Sequence, residues 1–125
     1  VMVEMNIPLQ QSSRRSQERE SEAMLAAARS RREASTNQVI AELAENLAGI
    51  DGARRIEALA TDDLLPEAER TFKAALAGYE NGKLDFATLV DAQRQIRQAR
   101  QEQIKAQADG QARLAEIERL LGEDL

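Results

Sequence analysis

An all-α fold, a long antiparallel two-helix coiled-coil hairpin with a short extended N-terminal segment, is the architecture this sequence predicts. Three observations point to it. Aromatic residues make up 2% of the 125 positions and charged residues 31%, with apolar content carried by Ala and Leu, which suits long helices better than a compact core. Small and apolar residues recur at alternating spacings of four and three along most of the chain. Gly82, followed by the capping residue Asp85, interrupts that pattern with a connection short enough to make two helices antiparallel neighbours.

Val1, Val3, Met5 and Ile7 alternate with Glu4 and Asn6 until Pro8 stops ladder pairing, so residues 1–9 read as the end of a strand whose partner lies elsewhere. The sequence is accordingly read as a piece of a larger protein, with 1–9 extended or disordered and 10–125 forming the hairpin. Ser12 or Ser13 can cap the first turn of a helix predicted over 13–80. Within it Ala23, Ala27, Ser30, Ala34, Asn37, Ala41, Ala44 and Ala48 make a seam of small side chains. Beside and beyond that seam, Ile40, Leu43, Leu47, Ile50, Ile56, Leu59, Leu64, Leu65, Ala68, Phe72, Ala75, Leu76 and Tyr79 predict a buried face that widens toward the turn. Gly49, Gly52 and Pro66 are its weak points, the proline costing about 3 kcal/mol in a helix interior. A bend at Pro66 is expected, with Thr61, Asp62 and Asp63 available to re-cap the chain there.

The turn is predicted at 81–84. Gly82 can take the left-handed conformation that ends a helix, and Leu84 before the cap can pack on Leu89 as a hydrophobic staple. A second helix follows over 85–121. It repeats Leu89, Ile96, Gln103, Gly110 and Ile117 every seven residues, with Ala92, Ala99, Ala106, Arg113 and Leu120 three positions after each, and Gly122 closes it.

The chain contains no Cys and no His, which removes disulfides, thiolate and imidazole metal sites, catalytic triads and His-based acid–base chemistry. Met2, Met5 and Met24 are not spaced as a ligand set, no cofactor is implied, and carboxylates are the only plentiful acid–base groups. No enzyme is expected. Seventeen Lys and Arg interleave with twenty-two Asp and Glu, a net charge of −5 without a basic stripe, so nucleic acid is not an expected partner. The first residues given do not read as the basic n-region and apolar h-region of a signal peptide, and no apolar run among the 125 residues is long enough to span a membrane as a helix.

The segment Leu64-Leu65-Pro66-Glu67-Ala68-Glu69, then Tyr79-Glu80-Asn81-Gly82-Lys83-Leu84-Asp85-Phe86 and Leu89-Val90-Asp91-Ala92-Gln93, resembles the TolC-like outer membrane factors of bacterial tripartite efflux pumps. Asn6-Ile7-Pro8-Leu9 resembles the exit of a barrel strand into the periplasmic helix, and Leu114, Leu120, Leu121 and Gly122 the end of the returning one. The resemblance covers nearly the whole chain. It implies a homotrimer with a β-barrel in the outer membrane and a helical tunnel across the periplasm, this chain being the helical hairpin of the second of two repeats. Membrane contact would run only through the barrel, and the partners would be a periplasmic adaptor protein and an inner-membrane pump. Tyr79, Gly82, Lys83, Leu84 and Phe86 are then the contact candidates at the tip. Some members carry two acidic positions three residues apart at the aperture; Asp91 matches the second, whereas Thr88 occupies the first. Met5 to Gln10 and the arginine-rich helix start resemble the heavy-metal cation branch, so the cargo implied is metal cations or small toxic compounds.

Blander readings stand beside these. A generic coiled-coil scaffold explains the small-residue seams, an ordinary helix cap explains Gly82, and a solvated second-turn carboxylate explains Asp91. The α-hairpin of a periplasmic adaptor is the other alternative, although its Arg, Leu and Ser tip pattern is missing here. Arg14 with Glu18, Arg29 with Glu33 and Glu69 with Lys73 read as surface pairs worth about 0.2–0.5 kcal/mol each. The first half of the first helix outruns its partner, so its Ala seam predicts weak self-association.

Overall fold

The computed structural model describes residues 7–122, with side chains described from Gln10 onward. Its elements are α1 (Ile7–Leu59), a π-helical turn (Ala60–Leu64), α2 (Leu65–Glu80) and α3 (Phe86–Gly122), and no strand occurs among the described residues. Two compact units divide the chain, Val1–Ala41 and Glu42–Leu125.

In the first unit the helix starts six residues before the predicted position 13. Ile7, Pro8 and Leu9, read above as extended, belong to α1, while the rest of that predicted segment, residues 1–6, lies outside the described residues. Proline in a first turn breaks no intrahelical bond, because the N–H it lacks would have no partner there. From Gln10 to Ala41 the side chains are exposed, with Ala27 half-buried. The pairs Arg14–Glu18 and Arg29–Glu33 do not close to ion-pair distance.

The second unit is the hairpin. Residues 42–80 return along α3, and its buried apolar residues are Ala53, Ala60, Ala68, Ala75, Ala92, Ile96, Ala99, Ala106, Ile117 and Leu120. Alanine dominates that set because the backbones lie close; a Cβ built on Gly110 would sit 3.7 Å from the Ala53 methyl. Each buried methyl contributes only about 0.8 kcal/mol, so Ile96, Ile117 and Leu120 carry more of the hydrophobic stabilisation per residue. All ten residues predicted for the α3 seam are buried or half-buried, Gln103 and Arg113 included. Two cross-helix bonds hold the register, from Gln103 Nε2 to Thr61 Oγ1 and from Gln107 Nε2 to Glu57 Oε1, both 2.9 Å.

The opposite strip of the hairpin is narrower than predicted. Ala44, Ala48, Leu47, Ile56, Leu59, Leu64 and Tyr79 are exposed, and the strip facing α3 runs through Gly49, Ala53, Glu57 and the buried Ala60. Ala53 and Ala60 are seven residues apart, as are Ala68 and Ala75, yet Ala60 and Ala68 are eight apart. A continuous α-helix would turn Ala68 off the seam by about 100°. The π turn absorbs the extra residue: the Leu65 N–H donates to the Ala60 carbonyl, five residues back instead of four. It also relieves Pro66, the second residue of α2, whose ring would clash with the carbonyl four residues before it. The predicted re-capping does not occur. No side chain caps either junction, and Thr61 instead receives the bond from Gln103.

Among the described residues the pairs Arg55–Asp51, Arg70–Glu67, Arg94–Asp91, Lys105–Glu102, Arg113–Asp109 and Arg119–Glu116 close within 4 Å, each local and partly or fully solvated. The expected Glu69–Lys73 pair is not formed. Exposed pairs of this kind add little to stability.

Candidate functional site

The most constrained geometry in the second unit is the turn between α2 and α3. Gly82 has φ +71°, the only positive φ among the described residues, and it stands one position past the helix cap Asn81. Its N–H donates to the Tyr79 carbonyl at 3.0 Å and the Lys83 N–H to the Gly78 carbonyl at 2.8 Å. These are the two bonds of a Schellman motif, and they satisfy carbonyls that a helix end leaves open. Leu84 N–H reaches the same Gly78 carbonyl at 3.2 Å, and Asn81 closes on Ala77 through its backbone at 3.1 Å and its side-chain amide at 2.8 Å.

Asp85 then caps α3. Its Oδ1 accepts from the Thr88 backbone N–H at 3.1 Å and from the Thr88 hydroxyl at 2.6 Å. The hydroxyl bond first, and the backbone bond after it, hold the Asp85 carboxyl below its ordinary range. Across the turn the Tyr79 and Phe86 rings meet at 6.0 Å between centroids, tilted by 60°, an edge-biased aromatic pair.

The turn therefore gathers Tyr79, Gly82, Lys83, Leu84 and Phe86 at one end of the hairpin. Phe86 is 62% exposed, Tyr79 43% and Leu84 40%, an apolar group in water at a turn that also carries the exposed Lys83. Thr88 and Asp91 stand on the first turns of α3, both exposed; Thr88 serves the Asp85 cap, and Asp91 pairs with Arg94 at 3.6 Å. A cap partner and a solvated ion pair account for both side chains within one copy.

Gly78 is a residue that sequence reading passed over. A Cβ built on it would meet Leu84 Cδ1 at 2.7 Å and Cγ at 2.9 Å, closer than real Cβ contacts allow. The Leu84 side chain thus lies directly on the Gly78 backbone. The signal was available as a helix-interior glycine one turn before Gly82, with a leucine six residues downstream.

No polar or charged side chain is buried among the described residues, and no group of three His, Cys, Asp or Glu there is arranged to hold a metal ion. Among the described residues Glu116 is the other carboxyl held below its ordinary range, by its hydrogen bond to Arg119. No helix among the described residues is long and apolar enough to cross a membrane.

In comparison with known families, residues 1–123 match the model described as outer membrane efflux protein. Neither the curated proteins nor the solved structures give a match.

Proposed function

The chain belongs to the outer membrane efflux protein family, and from that premise we propose that it is the periplasmic helical hairpin of the channel's second repeat, whose turn docks on the periplasmic adaptor and inner-membrane pump. Residues 10–125 would form part of the tunnel wall of a homotrimer. The cargo would be metal cations or small toxic compounds, a reading that rests on the likeness of Met5 to Gln10 to the metal branch. One observation supports the docking role: at a turn held by a Schellman motif, an Asp85 cap and the Tyr79–Phe86 pair, the side chains of Phe86, Tyr79 and Leu84 remain 62%, 43% and 40% exposed together.

These 125 residues contain no cysteine, so in a full-length channel freed of any other cysteine a single introduced one can report contacts. Lys83→Cys should cross-link to the adaptor in intact cells, while Glu102→Cys, in the middle of α3, should not. Equal yields at the two positions, or none at Lys83, would refute the docking role.

A further inference from the structure

We propose that Gly78 is the positioning residue of the tip, fixing which apolar side chain is presented to a partner. This rests on the docking reading above. Three features converge on Gly78. Its bare Cα leaves room for Leu84 Cδ1 and Cγ, which would lie 2.7 and 2.9 Å from any Cβ; its carbonyl takes both the Lys83 and Leu84 amides at 2.8 and 3.2 Å; and it adjoins Tyr79, whose ring meets Phe86 at 6.0 Å. Leu84 is folded back as a pin against the end of α2, and Phe86, 62% exposed against 40% for Leu84, is the outward contact. The partner surface this fits is an apolar socket that takes an aromatic ring, with Lys83 at its rim.

A glycine inside a helix is unfavourable relative to alanine, so the position should be easily improved for helix stability alone. Gly78→Ala therefore separates positioning from stability. In the 125-residue chain it should leave the thermal midpoint level or higher, abolish the nuclear Overhauser contact between the residue-78 α-proton and the Leu84 methyls, and shift the resonances of Tyr79, the sole tyrosine. In the full-length channel it should lower the Lys83→Cys cross-link to the adaptor several-fold. If Gly78 acts through Leu84, then in a Leu84→Ala background Gly78→Ala should have no further effect on that yield, since alanine needs no seat.

A fall in midpoint that accounts for the lost cross-link, or an effect that persists in the Leu84→Ala background, would overturn the positioning role. So would an unchanged yield in Gly78→Ala. If Phe86→Ala loses the cross-link while Gly78→Ala keeps it, docking stands and only the role of Gly78 falls. If neither Phe86→Ala nor Leu84→Ala changes the yield, the docking reading falls and takes this proposal with it.

Discussion

At Gly82 and Asp85 two adjoining caps divide the labour of the turn. Gly82 supplies a backbone conformation that a side chain resists, so Gly82→Val should cost about 1–2 kcal/mol, measurable by urea denaturation, and a wild-type midpoint would contradict the assignment. Asp85 supplies charge-assisted hydrogen bonds whose strength depends on pH. Its folded pKa lies below the ordinary 3.8, so the stability it adds is present above that value and lost as pH falls through the lower, folded one. The Thr88 hydroxyl is the larger cause, so Thr88→Val, which keeps the backbone donor, should move the Asp85 carboxyl part-way back up in an NMR titration. An unmoved titration would show that the hydroxyl bond is not what depresses it. Gly52 differs from both: a Cβ there meets nothing within 4 Å, and Gly52→Ala should stabilise the helix by about 1 kcal/mol.

The π turn shows what a helix does when two demands on its phase disagree. Pro66 and the eight-residue interval between Ala60 and Ala68 each favour it, and they can be separated. Pro66→Ala alone should keep the turn, because reverting to α-helix would put Glu67, Thr71 and Ala74 on the seam in place of Ala68, Phe72 and Ala75. Deleting Asp63 as well restores seven-residue spacing and should give an uninterrupted α-helix at least as stable as the parent. A Leu65 amide bonded four residues back in Pro66→Ala would show that the proline alone is responsible. This element also marks the limit of sequence reading. The α3 seam was legible to the residue because its seven-residue repeat runs unbroken from Leu89 to Leu120. The opposite strip was not, since its phase changes once and apolar residues such as Ile56 and Leu59 flank it. At the tip, Gly82 and Asp85 declared themselves by residue type, whereas Gly78 acts by an absent side chain whose partner is fixed only after the turn has closed.

For the molecule as a whole, the question is which surface another copy would cover. The sequence pointed to the Ala23 to Ala48 seam, and that seam is indeed largely exposed, as are Leu47, Ile56, Leu59, Leu64, Ile104, Leu114 and Leu121 of the hairpin unit. Area decides between them. Burying a leucine or isoleucine is worth about 1.5–3 kcal/mol against roughly 0.8 for a methyl, so the hairpin's large side chains should dominate any association while the alanines permit close approach. Docking must also overcome an entropic cost of several kcal/mol, which leaves weak, concentration-dependent binding for an isolated chain. Sedimentation equilibrium over a hundredfold concentration range should therefore show reversible self-association. Leu47→Glu with Leu114→Glu should abolish it, and Ala27→Glu with Ala34→Glu should only weaken it. The reverse ranking would return the interface to the alanine seam, and a strictly monomeric chain would mean that the exposed leucines need a partner of another kind.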